Sequence, residues 1–327
     1  MKKYIKRLVC VLAVIAIIVV GIYKMGWLVR PVKTDICINA INTFHEIPDN
    51  SIEVMGYGSS HMWRGMNPME LYSKYGIGAY NYGCNWQKLN TTLLFFKDSL
   101  KTQKPKVALI ETFMVGECLE DINVNGEIYY TSAIDNDDNK EIYLKQCLGD
   151  DKERYLSYYI PFVAFHDNWN DLQKSSFNPM NNYDGKDFRK TMGFVSSDTA
   201  KKAKIPDYTT FEQEELSETS VAILDDIMMT CRANDIKVVF YTAPYQGEYK
   251  YANAMKDYAE QNGCAYFNLF EYVDEIGIDG KTDFSDKGHL NTSGSNKVAD
   301  FLGKYLKETF ELTDFRNIKG NMWENEL

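Results

Sequence analysis

Two short segments of this 327-residue chain carry residue types that act together on acyl groups. The first is Gly58-Ser59-Ser60-His61. A serine hydroxyl becomes a useful nucleophile when a sharp turn exposes its Oγ and a base stands ready for its proton. Glycine permits the turn, and a nearby helix N-terminus stabilises negative charge. Alone, Gly-Ser-Ser reads as a helix N-cap after a strand. The second segment is Asp286-Lys287-Gly288-His289. It offers an imidazole as base and, three residues away on a tight loop, a carboxylate to set its tautomer. Read by itself it is equally a solvated turn, since Asp, Lys and Gly are all turn residues.

The surrounding pattern places both segments where strands hand over to loops. Short apolar runs predict strands at 51–57, 80–83, 107–113, 236–243 and 264–269, the third interrupted by Glu111 and Thr112. Helical spacing falls at 69–75 after Pro68, at 86–100, 214–234, 249–262 and 292–310. Continuous apolar strands alternating with helices imply an α/β three-layer sandwich, a mostly parallel sheet with its active site at the carboxyl ends of the strands. Residues 115–210 break the alternation. They are polar at 135–140, aromatic and helical at 155–172, and irregular at 178–204, and read as an inserted cap.

At the N-terminus Lys2, Lys3, Lys6 and Arg7 precede an apolar run from Leu8 to Val29, interrupted by Lys24. This predicts an uncleaved single-pass anchor over 1–29, with its tip in the cytoplasm and the rest outside. A cleaved signal peptide is the rival reading, but no A-x-A site follows the run. The expected organisation is then a connector at 30–51, a main domain at 52–310 and a tail at 311–327. Residues 34–327 hold 29 basic against 46 acidic residues, which excludes nucleic acid as a partner. Six cysteines lie beyond the anchor without a CxxC pair, and sequence does not pair them. The four histidines form no zinc pattern, so neither a metal nor a cofactor is expected.

Taken together and in this order, the two segments resemble the SGNH/GDSL hydrolase family, which places its serine after the first strand and a D-x-x-H block before the last helix. His289-Leu290-Asn291 and Gly294 are similar to that block's continuation. The nearer likeness is to the membrane-anchored cell-envelope branch, which includes the D-alanyl-lipoteichoic acid biosynthesis protein and alginate-type O-acetyltransferases. The resemblance covers 52–113 and 219–310. It implies a flavodoxin-like, SGNH-like fold and a triad of Ser60, Asp286 and His289. By position it also implies oxyanion donors at Ser60 and Gly83; Asn85 offers an amide from an unusual place, Asn81 and Asn85 read equally as loop or cap residues, and Ser59, His61 and Asn81 are candidates to line the pocket. Ser59 stands where the family usually has Asp, and no G-x-N-D block follows the third strand.

The implied activity is that of a serine esterase or O-acyltransferase acting on an acylated glycan or teichoic polymer, with a membrane O-acyltransferase as a candidate partner. The missing block leaves a second reading, an inactive accessory subunit of an acyltransferase complex. His166 reads as structural. Tyr155, Tyr158, Phe162, Phe165 and Trp169 read first as core, with sugar stacking as the alternative.

Overall fold

The structure is a computed structural model that describes residues 2–29, 36–116, 131–149, 152–172, 174–177 and 188–324. Readings made for 30–35, 117–130 and 178–187, Cys118 among them, lie outside the described residues. The chain forms two compact units, one of residues 1–39 and 122–186, the other of 40–121 and 187–327.

In the first unit α1 (Lys2–Val29) runs unbroken through Lys24, a straight-chain residue that helices accommodate. Its 28 residues span about 42 Å, more than a bilayer's hydrocarbon core. Leu8 and Ile17 are 59% and 71% exposed, so this is not a buried core helix; it is long and apolar enough to cross a membrane. Shorter helices cover Asp138–Leu148, Lys152–Tyr159 and Pro161–Phe165, followed by a 3-10 turn at His166–Asp171. The continuous helix expected over 155–172 is thus divided. Pro161 has no N–H for the preceding turn, and it restarts the helix at its first position.

Helix α2 (Ile36–Phe44) forms within the stretch read as a connector. In the second unit Phe44 lies against Tyr82, ring centroids 4.1 Å apart. Strand β1 (Val54–Gly58) leads into the short α3 (Ser60–Trp63) and then α4 (Pro68–Tyr75). Next come β2 (Ala79–Gly83), α5 (Leu89–Ser99) and β3 (Val107–Glu111). After the inserted residues come α6 (Glu218–Ala233), β4 (Lys237–Thr242), α7 (Ala252–Asn262), β5 (Ala265–Asn268) and α8 (Thr292–Thr309). All neighbouring strands are parallel, in the order β2-β1-β3-β4-β5. The order reverses between β1 and β3, and such a switch point opens a crevice at the strands' carboxyl ends.

Period-two alternation sorts the core. Val54, Val107, Leu109, Val239 and Tyr241 pack with Leu71 of α4 and with Val298, Leu302 and Leu306 of α8. On the opposite face Tyr57 meets Phe96 of α5 edge-on, and Phe240 meets Tyr258 of α7. Helices therefore cover both faces of the sheet, making a three-layer α/β fold.

Two stretches depart from expectation. A turn at Met192 and Gly193 and the irregular residues 194–203 brace the second unit through backbone bonds. Met192 O accepts from Asn81 N, Val195 N donates to Trp63 O, and Lys201 N donates to Phe284 O. The presumed tail also folds back. Trp323 is 1% exposed, stacks near Tyr72 and lies 4.8 Å from the Phe315 ring. Replacing a buried aromatic leaves a cavity its neighbours fill only in part. Trp323→Ala is therefore expected to lower stability by about 3–5 kcal/mol in urea unfolding. A loss below about 1 kcal/mol would show that this packing contributes little.

Candidate active site

The site begins where β1 ends. Gly58 has φ 150, and a Cβ there would fall 2.8 Å from the Cβ of Glu111. Only glycine lets the chain turn this close to β3. Its register partner is Gly83 on β2, where a Cβ would lie 2.4 Å from Gly58 O. The two strand ends are thereby drawn together under the turn.

The two serines then divide their tasks. Ser59 is the N-cap of α3; its Oγ accepts from His61 N at 3.3 Å and donates to Glu111 Oε2 at 3.2 Å. Ser60 turns the other way, its Oγ 2.8 Å from His289 Nε2. Asp286 Oδ1 accepts from His289 Nδ1 at 2.9 Å and from the backbone N–H groups of Gly288 and His289. With Nδ1–H given to Asp286, Nε2 is left as the acceptor for the Ser60 hydroxyl.

Neighbouring elements hold the two loops in register. Ser285 N donates to His289 O, and Phe284 bridges Leu290, so the histidine loop closes on itself. Asn291 caps α8 and donates to Thr282 O. Ser295 Oγ, one turn into α8, donates to Arg64 O just past α3, and Asn67 Nδ2 donates to Asn296 Oδ1. Gln246 N donates to Lys287 O, fastening the loop after β4 to the same segment.

Charge around the imidazole sets its state. Burial pushes the His289 pKa below its ordinary 6.5; Asp286 opposes that shift, and Arg64 adds to it. Burial alone would raise the Asp286 carboxyl, but the Gly288 N–H, His289 and Arg64 outweigh it and hold the group below its ordinary value. Arg64 Nη1 stands 3.7 Å from Asp286 Oδ2. At neutral pH the pair is a neutral imidazole on an ionised carboxylate, the state a general base needs.

The remaining expected residues fall at different depths. His61 is 5% exposed, stacked on Phe113 at 3.9 Å, with its ring 5.3 Å from that of His289. Burial first, and then His289, push it down to about 3, so it is a neutral neighbour of His289 rather than a second base. Asn81 was expected near the pocket but is fully buried. Its Nδ2 donates to Met66 O at 2.7 Å and Met62 O at 3.4 Å, which supports the α3 turn from beneath. Asn85 is exposed on the turn after β2, two residues beyond Gly83 as Ser60 is beyond Gly58. The loop after β3, where a G-x-N-D block would stand, carries Thr112 and Phe113.

Sequence reasoning missed Glu111, Phe113 and Arg64. Glu111 ends β3 with its carboxyl buried. Oε1 accepts from Phe113 N at 2.7 Å, and Oε2 accepts from Ser59 Oγ. It was legible only as the break in an apolar strand. Burial raises it to about 8 against the opposing bonds from Phe113 and Ser59, so near neutral pH the carboxyl keeps its proton. Among the described residues no group of three His, Cys, Asp or Glu could hold a metal ion.

No family model and no curated protein matches the chain. Among solved structures, one from Bacteroides fragilis, of a protein predicted to be an acylhydrolase, is 12% identical. It covers 82% of this chain and 94% of its own, with TM-score 0.38. A GDSL-like lipase from Bacteroides thetaiotaomicron is 13% identical and covers 79% of this chain and 87% of its own, with TM-score 0.33. Likeness this distant defines neither family nor activity, and the functional reading rests on the side chains themselves.

Two pH-dependent outcomes follow from these groups. If His289 serves as the base in ester turnover it must be unprotonated, and the acid limb of kcat/KM is then expected to have its midpoint below 6.5. Arg64→Gln should move that midpoint upward, because a cation is removed; a midpoint that stays put would show that Arg64 does not act on the base. The Glu111 carboxyl binds its proton more tightly folded than unfolded. Its contribution is therefore complete below its ordinary 4.5 and is lost as pH rises through about 8. Urea unfolding at a series of pH values should show this decline in the wild type and lose that component in Glu111→Gln; parallel curves would contradict it.

Proposed function

We propose that this chain is a serine ester hydrolase or O-acyltransferase acting through Ser60, His289 and Asp286. The observation that carries the reading is the chain of contacts from Ser60 Oγ to His289 Nε2 at 2.8 Å and from His289 Nδ1 to Asp286 Oδ1 at 2.9 Å. In this mechanism Ser60 Oγ attacks the ester carbonyl while its proton passes to His289 Nε2. The C=O π bond becomes an oxyanion, for which the Ser60 and Gly83 N–H groups and the Asn85 amide are the proposed donors. Collapse restores the carbonyl and expels the alcohol, which takes the proton from His289. The acyl-Ser60 ester then passes to water or to a sugar hydroxyl by the same steps in reverse.

The substrate class we infer is an acylated glycan or teichoic polymer of the cell envelope. A domain carried outside the membrane by α1 meets such polymers, and Lys2, Lys3, Lys6 and Arg7 favour a cytoplasmic N-terminus. The family resemblance of the two motifs supports the same class. A membrane O-acyltransferase is the partner this reading would take if transfer rather than hydrolysis is the reaction.

The test is fluorophosphonate labelling together with hydrolysis of a small acetyl ester by the full-length protein in detergent. Wild type should label. Ser60→Ala should abolish labelling and cut turnover by about 10³-fold or more, and His289→Ala should cost nearly as much. Ser59→Ala should retain labelling. Labelling that survives Ser60→Ala and vanishes in Ser59→Ala would reassign the nucleophile. Wild-type protein that neither labels nor turns over ester would overturn the enzyme reading in favour of the accessory subunit, the alternative that the absent G-x-N-D block favours.

A further inference from the structure

One group of side chains beside the reacting pair has no part in proton transfer. Trp86, on the turn between β2 and α5, is 71% exposed and has φ 50. A bulky side chain at positive φ is a steric outlier, and such backbone persists where the surroundings or a function sustain it. Among the described residues its ring contact is slight: the centroid is 6.5 Å from that of Phe113, tilted 50°. Exposing a large aromatic and straining its backbone for so little packing is unfavourable in the free protein.

Phe113 extends the surface inward. It stacks on His61 at 3.9 Å with the planes 8° apart, and His61 lies 5.3 Å from His289. Tyr245 closes the far side, edge-on to both Phe113 and His61 at 5.1 Å. A chain of ring contacts thus runs from His289 through buried His61 to half-buried Phe113 and exposed Trp86.

We propose that Trp86 and Phe113 form a stacking subsite for a pyranose ring of the substrate, next to the sugar that bears the ester. The proposal rests on the reading of Ser60 as a nucleophile toward glycan esters. The chemistry of the wall selects a sugar over an acyl chain. A pyranose presents apolar C–H faces and a polar rim, and here flat aromatic faces are bordered by exposed Asn85. An acyl chain is held better by an enclosed aliphatic groove. A stacked ring would also relieve the cost of the exposed indole, since binding covers it.

The experiment compares full-length wild type, Trp86→Ala and Trp86→Phe on two esters, an O-acetylated N-acetylglucosamine oligosaccharide and vinyl acetate. Trp86→Ala should lower the ratio of their kcat/KM values about three- to tenfold, while Trp86→Phe keeps most of it. Calorimetric titration of the same oligosaccharide into the Ser60→Ala protein should show binding that Ser60→Ala/Trp86→Ala loses. Active enzyme whose ratio is unchanged in Trp86→Ala overturns the subsite and leaves the esterase reading standing. Trp86-dependent oligosaccharide binding by a wild type that turns over neither ester supports the subsite and overturns the esterase reading. A further assay of the same proteins on vinyl decanoate that shows a preference over vinyl acetate, lost in Trp86→Ala, identifies an acyl-chain site and also overturns the proposal.

Discussion

A single hydrogen bond, 2.8 Å between Ser60 Oγ and His289 Nε2, joins two loops separated by 229 residues of chain, and the second unit is built around keeping it. Neither loop could hold its own side chain in place. The serine turn is fixed from below by Ser59 on Glu111 and by Asn81 on Met62 and Met66, and from the side by Val195 on Trp63. The histidine loop is fixed by its own bridge, by the Asn291 cap and by Gln246. The Ser295 hydroxyl on Arg64 O and the Asn67–Asn296 pair then fasten one assembly to the other. A catalytic constellation has to be held within a fraction of an ångström, and a parallel sheet with cross-linked loops supplies that rigidity.

The electrostatics follow the same division. Asp286 and Arg64 are partly exposed and ionised, whereas His61 and Glu111, both buried, are held near neutrality. A second charge beneath the serine turn would compete with the imidazolium–carboxylate pair of the proposed mechanism. A protonated Glu111 keeps the hydrogen bonds that shape the turn without adding that charge.

The sheet, its helices and the positions of Ser60, Asp286 and His289 were legible in the sequence, because each depends on a local signal. Gly58 before a pair of serines, Pro68 at a helix start and Asn291 before the last helix act within a few residues. What was not legible depends on distant partners. Glu111 looks like a flaw in an apolar strand until Ser59 is placed against it. Residues 192–203 have no periodicity because they bond through backbone groups that every sequence possesses. Trp86 was read as the start of a helix that begins at Leu89, since a positive φ leaves no mark in composition. Trp323 lies in a polar terminus, and only the gap beside Tyr72 and Phe315 explains its burial.

The separation of the two loops also orders the birth of the site. β1, β2 and β3 are consecutive in the chain, and β1 pairs with both of the others, so this half of the sheet closes loops of modest length. β4 and β5 join only after the inserted residues, and His289 comes after both. Contacts of high sequence separation form late and slowly, because the entropy of closing the long loop must be met before they contribute anything. A ribosome that has synthesised the first third of the chain has already made Ser60, but His289 lies near the other end. On the proposed mechanism Ser60 is therefore inert during synthesis, and acyl chemistry would begin only when α8 has docked and the last segment has packed against β2.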